Sequence, residues 1–413
     1  MVIEVRGSHL YIGGLKATEL ADRFGTPLYA YDKGVVVDNY SKISRGFTYK
    51  NVEVLYSCKA NGNPGILATL RDLGAGLDSS SPWEVVLGLM LGFKREKIMF
   101  TGSGITDEEM KYVRGELGVL INVDSIHQLR RYGKLFPETD VSIRINPGFG
   151  CGYHEFTITG GPTKFGISLD SLNKALEIAR EYKLKIVGLH SHIGSGVFTI
   201  EPYLKVTKLL LDIAAGLRDL EFIDIGGGMG VPYRPGEAEF DYISFGREIS
   251  KLLESYSRRT GEIKLRIEPG RFIVGNAGVL LTRVVEVKAV EFGGSRRVFA
   301  IVDTSINHLV RSVMMGAYYE VVAASKADAQ HRVEVDVVGN LCMAGDVLAR
   351  ARKLPPLEEG DVLAFLNAGA YTYSMSMNYN MRPRPAEVLV HDGEARLTRR
   401  RESFADLIST FVL

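Results

Sequence analysis

The chain has little cysteine, little tryptophan and no long apolar run. Its 413 residues include 3 cysteines and 1 tryptophan. Cys58, Cys151 and Cys342 lie far apart without a CxxC pair, so we expect neither a disulfide framework nor a zinc site. A reducing cytoplasm is the expected compartment. No apolar run reaches the roughly 18 residues of a membrane span, and early charges in residues 1–6 argue against a signal peptide.

An excess of charge of one sign is also missing. Lysine and arginine number 50 and aspartate and glutamate 49, giving a formal net charge of +1. Nucleic acids and acidic membranes are bound by basic surfaces, so the composition argues against both and favours a small-molecule ligand. At 413 residues the chain exceeds the usual size of a single core, and two domains are expected.

From residue 52 onward, short apolar runs alternate with amphipathic stretches. The segments 168–182, 203–217 and 242–258 place apolar residues at the three- and four-residue intervals of core-facing helices. This alternation predicts a (β/α)8 barrel over residues 30–278, with a doubly wound open sheet as the alternative. The eight strand candidates are 52–59, 76–80, 97–101, 119–124, 141–146, 185–192, 220–225 and 264–268.

After about residue 278 the helical pattern gives way to the alternation typical of strands. Asp392-Gly393 supplies the positive backbone angles of a tight turn, which predicts a hairpin over 387–398. We therefore expect a mostly antiparallel β-sandwich or barrel domain, formed by residues 279–413 together with 1–29. Its other strand candidates are 280–290, 297–302, 332–338 and 361–366.

Polar residues and glycines stand at the ends of the predicted barrel strands. Active sites of such barrels form at the carboxyl ends of the strands, so we expect these residues to converge. Lys59 ends the first strand, where a poorly solvated amine has a lowered pKa and can form a Schiff base; the alternative is an ordinary surface charge. The others are Asp78, Arg144, Asn146, His190, His192, Gly226, Gly227, Gly228, Glu268 and Arg271.

Each remaining group has a functional and a structural interpretation. Glycines 226–228 can expose backbone N–H groups to a phosphate, or can form a tight turn required by packing. Glu268 and Arg271 offer a carboxylate and a guanidinium, or pair with each other at the surface. His190 and His192 share one strand face, and an imidazole there can stack on an aromatic ring. No bound metal is expected, because no further ligand has the required spacing.

A reactive amine, a glycine loop, an imidazole and a carboxylate together match pyridoxal 5'-phosphate. The amine would take the aldehyde and the glycines the phosphate. Glu268 would keep the pyridine nitrogen protonated, so that the ring accepts electrons as a decarboxylation requires.

On these residues the chain resembles the fold-type III pyridoxal-phosphate decarboxylases, which have an alanine racemase-like fold, and in particular the diaminopimelate decarboxylase family. The resemblance runs from about residue 8 to 395. It implies conversion of meso-2,6-diaminopimelate to L-lysine and carbon dioxide in lysine biosynthesis. The motifs that carry it are 56–61, 164–167, 190–195, 226–230, 268–271, 342–346, 369–371 and 382–387.

The resemblance also implies roles for individual residues. Lys59 is the Schiff-base lysine, His192 stacks on the cofactor ring and Glu268 pairs with the pyridine nitrogen. Sites of this family are shared across a head-to-tail homodimer, so Cys342 would enter from the partner subunit and protonate Cα. Without the motif, Cys342 would be interpreted as a small buried hydrophobe. The residues around the phosphate or a substrate carboxylate would be Ser195, Gly228, Arg271 and Tyr371.

Two positions depart from the family pattern. Met343 stands where a glutamate usually meets the distal ammonium of the substrate, and Met315 follows Arg311 where a tyrosine helps to hold a carboxylate. An unpaired buried ammonium is costly, so the sequence predicts an altered substrate pocket. Asp346 or Glu320 could replace the missing acid, while Arg311 still grips a distal carboxylate. The alternative is a decarboxylase for a different amino acid.

Two further functions are weaker alternatives. An amino-acid racemase of this fold tends to place an arginine at the pyridine nitrogen, where this chain has Glu268. A non-catalytic pyridoxal-phosphate carrier is a short single barrel and needs neither Cys342 nor a β domain.

Overall fold

A computed structural model of the protein describes residues 3–330 and 332–412. Its central feature is a closed barrel of eight parallel strands, in which the fifth strand pairs with the fourth and sixth and the eighth pairs with the first. The predicted (β/α)8 barrel is therefore confirmed, and the open sheet is excluded. The strands are Val52–Ser57, Gly76–Ser79, Ile98–Thr101, Leu120–Val123, Asp140–Asn146, Lys185–His190, Phe222–Asp224 and Lys264–Ile267, and Ile167–Ser168 pairs beside the fifth.

Helices follow the strands, and several of them begin at capping residues that the sequence supplies. The Asn63 side chain accepts a hydrogen bond from the Gly65 amide at 2.9 Å, and a proline opens the helix that follows. Ser81 caps the next helix in the same way. The helices are Ala17–Phe24, Lys33–Arg45, Pro64–Asp72, Pro82–Met90, Asp107–Met110 continuing into the π-helix Lys111–Glu116, Ile126–Leu135, Leu172–Glu181, Glu201–Ala214, Tyr242–Thr260, Arg271–Val274, Arg311–Met314 and Phe404–Ile408.

The remaining strands form a mixed sheet and a small three-stranded antiparallel sheet. Most pairings in the mixed sheet are antiparallel, as predicted, and the hairpin turns at Asp392 and Gly393 with φ of 50° and 78°. The small sheet contains Ile3–Arg6, His9–Ile12 and Leu15–Lys16. The mixed sheet contains Leu28–Asp32, Gly278–Phe292, Ser295–Val302, Val321–Ala323, Val333–Val338, Val347–Leu354, Val362–Phe365, Ala386–His391 and Glu394–Arg399.

The N-terminal segment packs on the mixed sheet, as expected. The Leu10 amide donates to the Ala324 carbonyl at 2.9 Å, and Leu10 and Ile12 share a core with Val279 and Val388. The strand Leu28–Asp32 also belongs to this sheet. The domain boundaries at residues 30 and 278 stay a prediction. Residues 1, 2, 331 and 413 of the predicted β domain lie outside the described part of the chain.

The β region touches the barrel next to Lys59. The Tyr371 amide donates to the Ala60 carbonyl at 2.8 Å, and the Asn61 side chain donates to the Gly369 carbonyl at 2.9 Å. A Cβ at Gly369 would lie 1.7 Å from the Val274 carbonyl oxygen, so only glycine permits this approach. The contact holds Tyr371 with a left-handed φ of 57°. Within the described residues, no helix has the length and apolar character to cross a membrane.

Candidate active site

Most of the strand-end residues meet in one cavity at the carboxyl end of the barrel. Gly226 and Gly227 do not line it, and neither does Asn146, whose side chain donates to the carbonyls of Gly161 and Phe165, both at 2.8 Å, and so holds the loop after the fifth strand. The cavity around Lys59 is lined among others by Asp78, Arg144, Lys164, His190, His192 and Glu268. A narrow extension of it is lined by Lys59, His192, Ser195, Gly228, Glu268, Arg271 and Tyr371.

Lys59 does not end the strand as predicted. The first strand ends at Ser57, and a 3-10 turn over Cys58–Ala60 brings the Lys59 Nζ to 2.5 Å from Asp78 Oδ2. Burial lowers the pKa of Lys59, but the carboxylates of Asp78 and Glu268 outweigh it and the pKa lies above its ordinary value. The prediction of a lowered pKa for Lys59 is therefore wrong. Burial and Glu268 raise the pKa of Asp78, and the Asp78 carboxylate is the group that accepts the Lys59 hydrogen bond.

Glu268 remains charged although it is buried. Burial raises its pKa, but His190, Lys59 and His192 lower it by more than burial raises it, so that the pKa lies at about 2. The Glu268 Oε2 lies 3.2 Å from His190 Nε2, while its Oε1 has no hydrogen-bond partner among the described residues. The buried carboxylate thus keeps one free acceptor atom.

His192 lies two residues beyond the end of the sixth strand rather than on it. Its pKa is lowered to about 3 by burial and by the positive charges of Arg144 and Lys59. The neutral ring accepts a hydrogen bond at Nδ1 from the Gly227 amide at 3.1 Å. His192 therefore offers a flat, uncharged ring to the cavity.

The three glycines after the seventh strand do not all present free amides. Those of Gly226 and Gly227 donate to Asp224 and His192, whereas the Gly228 amide has no acceptor among the described residues. A Cβ at Gly227 would lie 1.9 Å from the Glu268 carbonyl oxygen. The packing interpretation is thus correct for Gly226 and Gly227, which leaves Gly228 to contribute an N–H donor to an anion.

Arg271 and Arg311 form a cluster with tyrosines beside the Lys59 cavity. Their exposed fractions are 5% and 2%. The Tyr233 hydroxyl lies 2.9 Å from an Arg271 Nη1 and 3.3 Å from an Arg311 Nη1. Burial raises the pKa of Tyr233, but the two guanidinium groups lower it to about 8. Arg311 also donates to Tyr319 at 3.1 Å and to Tyr153 at 2.7 Å.

Sequence reasoning missed the three tyrosines of this cluster. Tyr153 and Tyr233 lie on irregular loops and Tyr319 just before a short strand, so no strand-end rule identifies them. A weak signal was available for Tyr233, which follows the glycine motif 226–230 after two intervening residues.

Cys342 and Met343 lie on an exposed loop, apart from the residues that line the Lys59 and Arg311 cavities. The interpretation of Cys342 as a buried hydrophobe is wrong. Hydrogen bonds with Asn380 and Tyr379 lower the pKa of its thiol. Asp346 accepts from two backbone amides of its own surroundings, at 2.8 and 2.9 Å, and therefore stabilises this loop.

One group of possible metal ligands lies deep in the site. His190, Asp224 and Glu268 each place a ligand atom within 4.8 Å of the others. Burial and the Glu268 charge raise the pKa of Asp224 well above its ordinary value. Asp224 accepts a hydrogen bond from the Gly226 amide at 2.8 Å and His190 Nε2 lies 3.2 Å from Glu268 Oε2, so each of the three groups already has a partner within the protein.

The residues of the cavity fit pyridoxal phosphate. The free Glu268 Oε1 suits a protonated pyridine nitrogen, and the neutral His192 ring suits stacking. Gly228, Ser195 and the Arg271 guanidinium, whose Nη2 lies 3.2 Å from Ser195 Oγ, offer donors to a phosphate. Lys59 lines the same extension of the cavity as these groups.

Known proteins carry the same organisation. A model of the pyridoxal binding domain of pyridoxal-dependent decarboxylases matches residues 34–275. The diaminopimelate decarboxylase of Methanothermobacter thermautotrophicus is 43% identical, over 97% of this chain and 95% of that protein. The Aquifex aeolicus one is 35% identical, with 97% and 95% covered. The crystal structure of diaminopimelate decarboxylase from M. jannaschii in complex with L-lysine matches with a TM-score of 0.91 at 32% identity, covering 100% of this chain and 98% of that one.

The barrel, the β region and the lysine site thus define a fold-type III pyridoxal-phosphate decarboxylase, a carboxy-lyase with pyridoxal phosphate as its cofactor. Within that class, the chain belongs to the diaminopimelate decarboxylase family. The fold, family and cofactor predicted from the sequence are confirmed. The roles of individual site residues stay predictions.

We expect the Lys59→Ala variant to lose the visible absorbance of a lysine-linked cofactor, because the cavity then has no amine at the position of Nζ. Absorbance spectra of protein incubated with pyridoxal phosphate measure this. Lys208→Ala, at an exposed position on the helix Glu201–Ala214, is the control and should keep the band. An unchanged spectrum for Lys59→Ala would rule out this lysine.

Proposed function

We propose that the protein decarboxylates meso-2,6-diaminopimelate to L-lysine. The substrate assignment rests on two buried guanidinium groups, those of Arg271 and Arg311, which lie beside the Lys59 cavity. The cofactor phosphate would pair with Arg271, and a substrate that keeps a second carboxylate after the reaction would pair with Arg311. The solved relative that contains L-lysine supports a ligand of this kind.

The cofactor, when bound, supplies the electron sink that accepts the electrons left at Cα as carbon dioxide departs. Lys59 would hold the cofactor aldehyde, with Asp78 as the acceptor beside its ammonium. Glu268 would place a negative charge at the ring nitrogen, and the neutral His192 ring would stack on the cofactor ring. Ser195, Gly228, Arg271 and Tyr371 surround the phosphate and the near part of the substrate.

Arg311 binds the second carboxylate of the substrate. Its guanidinium points at three hydroxyl groups, and its buried Nε has no partner among the described residues. Hydroxyl groups leave its charge uncompensated, whereas a carboxylate would pair with it. Met315 lines the same pocket and contributes no charge.

The active enzyme is a homodimer in which Cys342 of one subunit protonates Cα in the site of the other. The exposed position of Cys342 outside its own chain's cavity supports this, and so does the lowered pKa of its thiol. Large apolar side chains are exposed around it, with Met343, Tyr379 and Met381 at 40%, 48% and 49%. Such a surface is suited to burial against a second copy.

The function is tested by incubating the protein and pyridoxal phosphate with single amino acids and measuring carbon dioxide and the amine product. Release from meso-diaminopimelate with L-lysine as product is expected. Release only from lysine or ornithine would favour the alternative decarboxylase that the Met343 and Met315 departures suggest. Loss of optical activity without carbon dioxide would indicate a racemase.

Shared sites predict complementation between two defective variants. Lys59→Ala and Cys342→Ala should each be nearly inactive, the latter by about a hundredfold through loss of its proton transfer. Mixed and allowed to exchange subunits, they should recover about a quarter of wild-type activity, because half of the dimers then contain one intact site of two. Mass spectrometry shows whether mixed dimers have formed. If they have formed and activity does not recover, the site is not shared between subunits.

The Met343→Glu variant tests the altered pocket. A carboxylate next to Cys342 should pair with the distal ammonium and lower the KM for meso-diaminopimelate by about tenfold. Met343→Gln has a similar shape without the charge and is the matched control. An unchanged KM for Met343→Glu would show that position 343 does not face the distal ammonium.

A further inference from the structure

Tyr153 occupies a distinct position in the arginine and tyrosine cluster. Its side chain is 40% exposed, whereas that of Tyr319 is fully buried. It lines the same pocket as Arg271, Arg311 and Met315. A ligand entering this pocket can therefore contact Tyr153.

The hydroxyl of Tyr153 is only half satisfied. It accepts a hydrogen bond from Arg311 Nη2 at 2.7 Å and donates to the Met315 Sδ at 3.2 Å. A thioether sulfur is a weak acceptor. A carboxylate oxygen bound by Arg311 would be a much better acceptor for the same proton.

The Tyr153 ring is held in place before any ligand arrives. The Tyr153 amide donates to the Ser195 carbonyl at 3.3 Å. A Cβ at Gly196 would lie 2.4 Å from the ring, so the ring packs directly on that glycine. The guanidinium carbons of Arg271 and Arg311 lie 5.3 and 5.6 Å from the ring centroid, a cation–π arrangement that further fixes it.

We propose that Tyr153 is a specificity-determining residue that donates its hydroxyl hydrogen bond to the second carboxylate of the substrate. In this chain Tyr153 supplies the hydroxyl that the methionine at position 315 lacks. The inference rests on the proposed function, because it takes the ligand of the Arg311 pocket to be the far carboxylate of a diamino acid.

The test compares ligands with and without that carboxylate. In Tyr153→Phe holoenzyme, the KM for meso-diaminopimelate should rise about tenfold with kcat within about twofold, as expected for a lost hydrogen bond to a charged group away from the reacting atoms. Calorimetric binding of L-lysine should weaken by a similar factor. Binding of 1,5-diaminopentane, which has no carboxylate, should not change.

A second variant tests the position of the hydroxyl. Because the Met315 sulfur lies 3.2 Å from the Tyr153 oxygen, a tyrosine at position 315 can place a hydroxyl close to the same point. Met315→Tyr should therefore restore L-lysine binding in the Tyr153→Phe background. Tyr112→Phe, remote from the pocket on the helix Lys111–Glu116, is the control for loss of a phenol elsewhere.

Two results would overturn the proposal. One is unchanged L-lysine binding and KM in Tyr153→Phe. The other is an equal loss for L-lysine and 1,5-diaminopentane, which would mean that Tyr153 only maintains the loop. If the wild-type protein does not decarboxylate meso-diaminopimelate, the proposed function fails by itself, while the comparison of the two binding ligands still decides the role of Tyr153.

Discussion

The active site depends on a buried carboxylate that keeps its charge. Glu268 on its own would be neutral at that depth, since burial disfavours the ionised form. It stays ionised because His190, whose Nε2 lies 3.2 Å away, and Lys59 lower its pKa from other parts of the barrel. The barrel must therefore close before the charge is stable, and the charge in turn holds the pKa of Lys59 above its ordinary value. The same charged groups thus require the closed barrel and set the pKa values of the site.

Close backbone approach is the second requirement of the site. The loops after the sixth, seventh and eighth strands meet at Gly227 and Gly228, where an added Cβ would lie 1.9 Å from the carbonyl oxygens of Glu268 and Gly194, respectively. This contact orders the Gly227 amide toward His192 and leaves the Gly228 amide free. Within one motif, Gly227 is thus required for close packing, while the adjacent Gly228 keeps an amide that can bind an anion.

Much of the fold and part of the site could be predicted from the sequence, and the reasons differ. Buried parallel strands appear as continuous apolar runs, so all eight barrel strands were predictable, and the residues at their ends followed from barrel geometry. The direction of the Lys59 pKa was not predictable, because it depends on how close Asp78 comes across two strands. Tyr153 and Tyr233 were missed because loop residues carry no periodic signal and their importance arises only from the arginines they contact.

The hydrogen bond from Tyr371 to Ala60 ties the β region to the turn that carries Lys59. Tyr371 adopts its left-handed backbone at the same point, a conformation that a non-glycine residue keeps only when its surroundings enforce it. Ala60 and Lys59 belong to the same 3-10 turn, so a displacement of the β region at Tyr371 would also displace the turn that positions the Lys59 amine.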